Sequence, residues 1–92
     1  MSIESLGVIE TSSFSGYLKV MNLLSKMSDI QVFNKYFLGQ GVVSILIQGE
    51  LGAIQDAVEK GENILSDSNS FIGSHTIPMP HKNLLQVINQ EP

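Results

Sequence analysis

Short, densely apolar runs alternate along this chain with two longer stretches in which apolar residues recur every three or four positions. Leu6-Gly7-Val8-Ile9 reads as a short buried strand. Thr11, Ser12 and Ser13 then offer hydroxyl caps for a helix. In that helix Phe14, Tyr17, Leu18, Met21 and Leu24 share a face, and Val20, Leu23 and Met27 broaden the stripe. So wide an apolar face predicts a helix covered on more than one side. Its end is expected near Ser28-Asp29.

A second strand begins at Ile30-Gln31-Val32-Phe33, and Gly39-Gln40-Gly41 makes a tight connection to a third. That third strand, Val42 to Ile47, is β-branched and nearly all apolar. Gly49 and Glu50 lead into a second helix with Ile54, Ala57, Val58, Gly61, Ile64 and Leu65 on one face. Gly61 costs a helix interior about 1 kcal/mol against Ala. Close approach of the helix to the sheet would account for it. Ser66 to Ser70 reads as a polar loop, and Phe71 to Ile77 as a last strand stopped by Pro78 and Pro80. Leu84, Leu85 and Ile88 suggest a short terminal helix.

The resulting order is β-α-β-β-α-β. It predicts an α+β fold: a two-layer sandwich, ferredoxin-like in order, with both helices on one face of the sheet. One domain spans 1–92, with its core at 5–81 and a C-terminal extension at 82–92.

Composition narrows the function. With 92 residues and 42% apolar content, the chain has more apolar surface than a small monomer readily buries, and association would relieve that. The net charge is −4 and there is no arginine, which argues against nucleic acid and against an anionic membrane surface. There is no cysteine, hence no disulfide and no thiolate metal site. The N-terminus lacks the basic start and apolar run of a signal peptide, and the longest apolar run is too short to span a bilayer. The chain reads as a soluble cytoplasmic protein.

Several segments taken together point further. These are Leu6-Gly7-Val8-Ile9-Glu10-Thr11, the Gly39-x-Gly41 turn and the strand after it, Gly49-Glu50-Leu51-Gly52-Ala53, and His75-Thr76-Ile77-Pro78-x-Pro80-His81. In order and spacing the set resembles the hexamer-forming, single-BMC-domain shell proteins of bacterial microcompartments. The resemblance runs from Leu6 to His81. It implies a structural protein of the microcompartment shell in the cytoplasm, a flat cyclic hexamer that packs edge to edge. The implied partners are copies of itself, other shell proteins, and encapsulated enzymes or their targeting peptides. By the same resemblance the turn Phe37-Leu38-Gly39-Gln40-Gly41 surrounds a narrow central pore for small polar metabolites. Six copies crowded on one axis also need a backbone without Cβ bulk and free to take positive φ, which glycine supplies.

The departures from the family pattern matter. Gln40 stands where the family often has a small serine, and Phe37 where a lysine often sits. The ring of positive charge is thereby lost, and neutral amides take its place. Lys26 matches a lysine of the hexamer edge. Asp29 replaces the family's usual asparagine there, Met79 its arginine, and His81 keeps its histidine. Without the arginine fork, tiling is expected to be weaker or differently curved. Lys26 and Asp29 are spaced to pair, within the chain or across the edge.

No catalytic constellation is visible. There is no Gly-x-Ser-x-Gly elbow and no phosphate-binding loop, since Gly39-Gln40-Gly41 lacks the following lysine. His75 and His81 have no further ligands to make a metal site. No cofactor, metal or enzyme activity is expected. The topology is shared with small-molecule-binding regulatory domains of the ACT type, the alternative reading; RNA-binding domains of this topology need central-strand aromatics that Val42–Ile47 lacks.

Overall fold

Six elements form between Glu4 and Pro78 in the computed structural model, which describes residues 4–78. They are β1 (Glu4–Thr11), α1 (Phe14–Ser25), β2 (Ile30–Phe37), β3 (Val43–Glu50), α2 (Leu51–Asp67) and β4 (Phe71–Pro78). The expected order is therefore found. The suggested helix at Leu84, Leu85 and Ile88 lies outside the described residues, as do Met79 and His81.

The strands form one sheet in the order β2-β3-β1-β4, with every neighbouring pair antiparallel. β1 and β2 thus run parallel with β3 between them, and β3 and β4 run parallel with β1 between them. These are two interleaved split βαβ units, and each crossover helix packs back on the same face. Alternation along the strands divides the sheet as the pleat requires. Ile9 on β1 and Val43, Ile45 and Ile47 on β3 face the helices. They meet Tyr17, Val20 and Leu24 of α1 and Ile54, Ala57, Val58 and Leu65 of α2 in one buried cluster. Leu6 and Leu46 are also buried but belong to the opposite face of the sheet.

Glycine sets how tightly this layer closes. A Cβ at Gly7 would stand 2.8 Å from Ile47 Cγ1 and 2.9 Å from Ile54 Cγ2. At Gly61 it would stand 3.1 Å from Ile9 Cδ1, which is the close helix–sheet approach that the mid-helix glycine predicted. At Gly16 it would meet the side chains of Leu65, Ser70 and Thr11 within 2.9 Å, so the backbone of α1 packs directly against them.

Of the three candidate hydroxyls, Ser13 is the N-cap of α1: its Oγ accepts from Gly16 N–H at 2.8 Å. Thr11 has a different task. Its hydroxyl donates to the Ser70 carbonyl at 2.8 Å and ties β1 to the loop that starts β4. α1 ends at Ser25 with Lys26 as C-cap, earlier than the expected Ser28-Asp29. α2 runs on to Asp67, into what read as loop.

Both edge strands carry a bulge. On β2 the pairing shifts between Val32 and Asn34, leaving Phe33 as the extra residue; on β4 Ile72 is extra, between Phe71 and Gly73. Bulged edges discourage another strand from adding to the sheet.

Candidate functional site: the Gly39–Gly41 turn and its α1 flank

β2 and β3 are joined by a turn closed by two backbone bonds, Leu38 N–H to Val42 O at 2.9 Å and Val42 N–H to Gly39 O at 3.0 Å. Three consecutive residues inside it have positive φ: Gly39 at 86°, Gln40 at 54° and Gly41 at 80°. The two glycines are required for different reasons. A Cβ at Gly41 would lie 3.0 Å from the Ser12 carbonyl oxygen, whereas nothing lies within 4 Å of one at Gly39. Gly39 is held by its φ alone, and Gly41 by φ and by the chain leading into α1. Gln40 has no such freedom. A left-handed residue with a Cβ costs about 1–2 kcal/mol, a torsion that Asn69 also adopts before β4.

Gln40 is exposed at the tip of the turn. Phe37, the last residue of β2, is 56% exposed, and Leu38 is 60% exposed. The ring of Phe37 does not extend freely toward the tip. It stacks edge-on against Tyr17 with centroids 5.3 Å apart, and lies 6.4 Å from Phe14, which itself sits 5.5 Å from Tyr17. Such pairs contribute about 0.5–1.5 kcal/mol beyond burial. The aromatic trio therefore clamps the base of the turn to α1. Phe14 and Tyr17 were legible only as helix-stripe residues, because the contact joins positions some twenty residues apart that no local pattern connects. Leu18, one turn beyond Phe14 on the same helix face, is also half exposed.

The expected assembly residues are separate from this turn. Lys26 closes α1, its N–H bonding the Leu23 carbonyl at 3.1 Å, and its side chain is exposed. Asp29 is exposed in the turn before β2. It borders an open cleft of about 300 Å³ that Glu4, Gln31, Gln48 and Glu50 also line. Lys26 and Asp29 form no ion pair with each other among the described residues; the pair formed there is Lys60–Asp56 on α2, at 3.1 Å. His75 is exposed on β4 opposite Val8. Among the described residues no cluster of three or more His, Asp or Glu side chains could hold a metal.

The fold alone does not choose between readings. A solved structure of the divalent ion tolerance protein CutA1 from Ehrlichia chaffeensis superposes with a TM-score of 0.57 at 16% identity, covering 97% of this chain and 94% of that one. A microcompartment protein from Desulfitobacterium hafniense superposes better, with a TM-score of 0.78 at 20% identity. The match covers 94% of this chain but only 49% of that chain, so the present chain spans about half its length. Sequence similarity is more decisive. The chain is 28% identical to the carboxysome shell protein CsoS1A of Hydrogenovibrio crunogenus, covering 95% of this chain and 92% of that protein. It is 23% identical to the bacterial microcompartment shell protein PduA of Salmonella typhimurium, covering 96% and 94%. Residues 5–80 match the model of the BMC domain. This chain belongs to the BMC-domain family of bacterial microcompartment shell proteins, which builds the walls of these compartments in the bacterial cytoplasm.

Proposed function

We propose that the chain forms a cyclic hexamer that tiles edge to edge, with six Leu38–Gly41 turns around a narrow pore that passes small polar, uncharged solutes. The observation that carries this reading is the turn itself: three positive-φ residues with an exposed glutamine at the tip, clamped at the base by Phe37. From Tyr36 to Gly49 there is no acidic or basic residue, so a pore built from these turns presents amides and backbone rather than a charged ring. Lys26 and Asp29 stand exposed for contact across the tile edge, with Met79 and His81 as further edge residues. The role is structural, without catalysis or cofactor. Its partners are copies of itself, other shell proteins, and enclosed enzymes or their targeting segments. The ligand-binding regulatory alternative shares the topology but not the family.

Light scattering on a sizing column, followed by negative-stain imaging, tests the reading. A particle of six times the 10.0 kDa chain, seen as discs or sheets, is expected; a monomer or dimer refutes it. The pore is tested in reconstituted shells with Gln40→Gly. Faster entry of small neutral solutes is expected, and unchanged permeation refutes a glutamine-lined constriction.

A further inference from the structure

Among the described residues, the large apolar side chains left exposed lie on α1 and on the two edge strands. Phe14, Leu18, Phe37 and Leu38 form one patch on α1 and the β2 edge; Ile72 and Ile77 lie at opposite ends of β4, the other edge, with Ile72 at the end that carries the β2–β3 turn. The register fixes how these are related. Phe37 pairs with Val43, Val43 with Thr11, and Thr11 with Phe71, so the four stand in one row across a single end of the sheet. The row begins at the aromatic patch and ends beside Ile72, about 14 Å away across three strand spacings. Ile72 is the extra residue of the β4 bulge, a device that re-aims a side chain at a sheet edge.

We propose that the first patch and Ile72 are the two halves of one seam: the Phe14–Phe37–Leu38 flank of each copy receives Ile72 of the next copy. The inference rests on the ring reading above and specifies which surfaces close it. A second copy of this chain is the occupant for three reasons on the molecule itself. First, the Phe14–Phe37–Leu38 patch and Ile72 both lie at the end of the sheet that bears the Leu38–Gly41 turn, so joining them head to tail brings successive turns together. Second, the seam residues themselves sit in uncharged segments, with Glu10, Lys19 and Lys35 only at their margins. The segments 11–18, 36–49 and 68–74 contain no acidic or basic residue, although each chain carries a net −4. Copies that repel elsewhere can approach there. Third, bulges on both edge strands disfavour sheet continuation, so side chains rather than strand pairing make the contact. Two different patches used head to tail give a ring where the rotation closes, whereas one patch used twice gives a dimer.

The chain has no cysteine, which makes the test clean. The double variant Phe37→Cys/Ile72→Cys is treated with a short bis-maleimide and run on a denaturing gel. Across the proposed seam each copy joins the next, and a ladder extending beyond dimers toward six chains is expected. A product that stops at monomers or dimers, from protein that still sizes as a hexamer, overturns the seam and leaves the ring standing. Covalent dimers from Ile72→Cys alone overturn it as well, because Ile72 would then face itself. A wild-type chain that sizes as a monomer overturns both seam and ring. Ile72→Asp supplies an independent readout. Dissociation of the ring at about tenfold higher protein concentration than wild type is expected, with an unchanged circular dichroism spectrum; dissociation at the wild-type concentration refutes the contact.

Discussion

α1 and α2 cover the same face of the same sheet, yet they are finished differently. α2 buries Ile54, Ala57, Val58, Gly61 and Leu65 and turns Gln55, Asp56, Glu59, Lys60 and Asn63 to solvent. Its apolar and polar faces match what one sheet and one solvent require. α1 buries Tyr17, Val20 and Leu24 in the same way but leaves Phe14 and Leu18 more than half exposed. Polar residues would be the economical choice there if the chain worked alone. The difference marks α2 as finished by the folding of one chain, whereas under the proposed ring the outer face of α1 is completed by another copy.

Four substitutions sharpen or break this comparison. Leu65→Ala, on the finished helix, removes a fully buried side chain and is expected to cost about 2–5 kcal/mol in denaturant unfolding. A cost under 1 kcal/mol would mean that α2 is less essential to the core than its burial suggests. Gly16→Ala tests the junction of the two helices. Thr11, Ser70 and Leu65 leave no room for the added methyl, and about 1–3 kcal/mol is expected from overpacking; a stabilised variant would show that α1 can slide outward. Ser13→Ala removes the α1 cap and should lower stability by about 1 kcal/mol, read as a drop in melting temperature.

Leu18→Gln should have the smallest effect on folding, within about 0.5 kcal/mol when unfolding is followed below the assembly concentration. A loss comparable to that of Leu65→Ala would erase the contrast between the helices.

Much of this fold is legible in the chain because periodicity reports which positions are buried. Ile54, Ala57, Val58, Gly61 and Leu65 recur at helical spacing, and Val43, Ile45 and Ile47 alternate on one face of β3. The broad stripe of α1 is also visible, but periodicity cannot say whether a residue's cover comes from its own chain or from another copy. Phe14 and Leu18 therefore read as covered, and in one chain they are not. The Phe37–Tyr17 stack and the bulges at Phe33 and Ile72 are tertiary outcomes with no local signature. Of the candidate site, the Gly39-Gln40-Gly41 turn was legible because positive φ has a recognisable composition. The clamp that holds it was not.

Three left-handed residues in a row also restrict how this turn can vary over generations. Positions 39 and 41 are confined to glycine, one by its torsion and the other by torsion and the Ser12 carbonyl. Residue 40 is the one place among the three where a side chain is already tolerated, and asparagine would adopt its torsion more readily than glutamine. Under the proposed ring, the polar side chain that this left-handed run offers the centre of the tile is then set by a single codon. The symmetry of the assembly repeats each change there six times, so a gradual adjustment of the opening is not available to a homomeric tile.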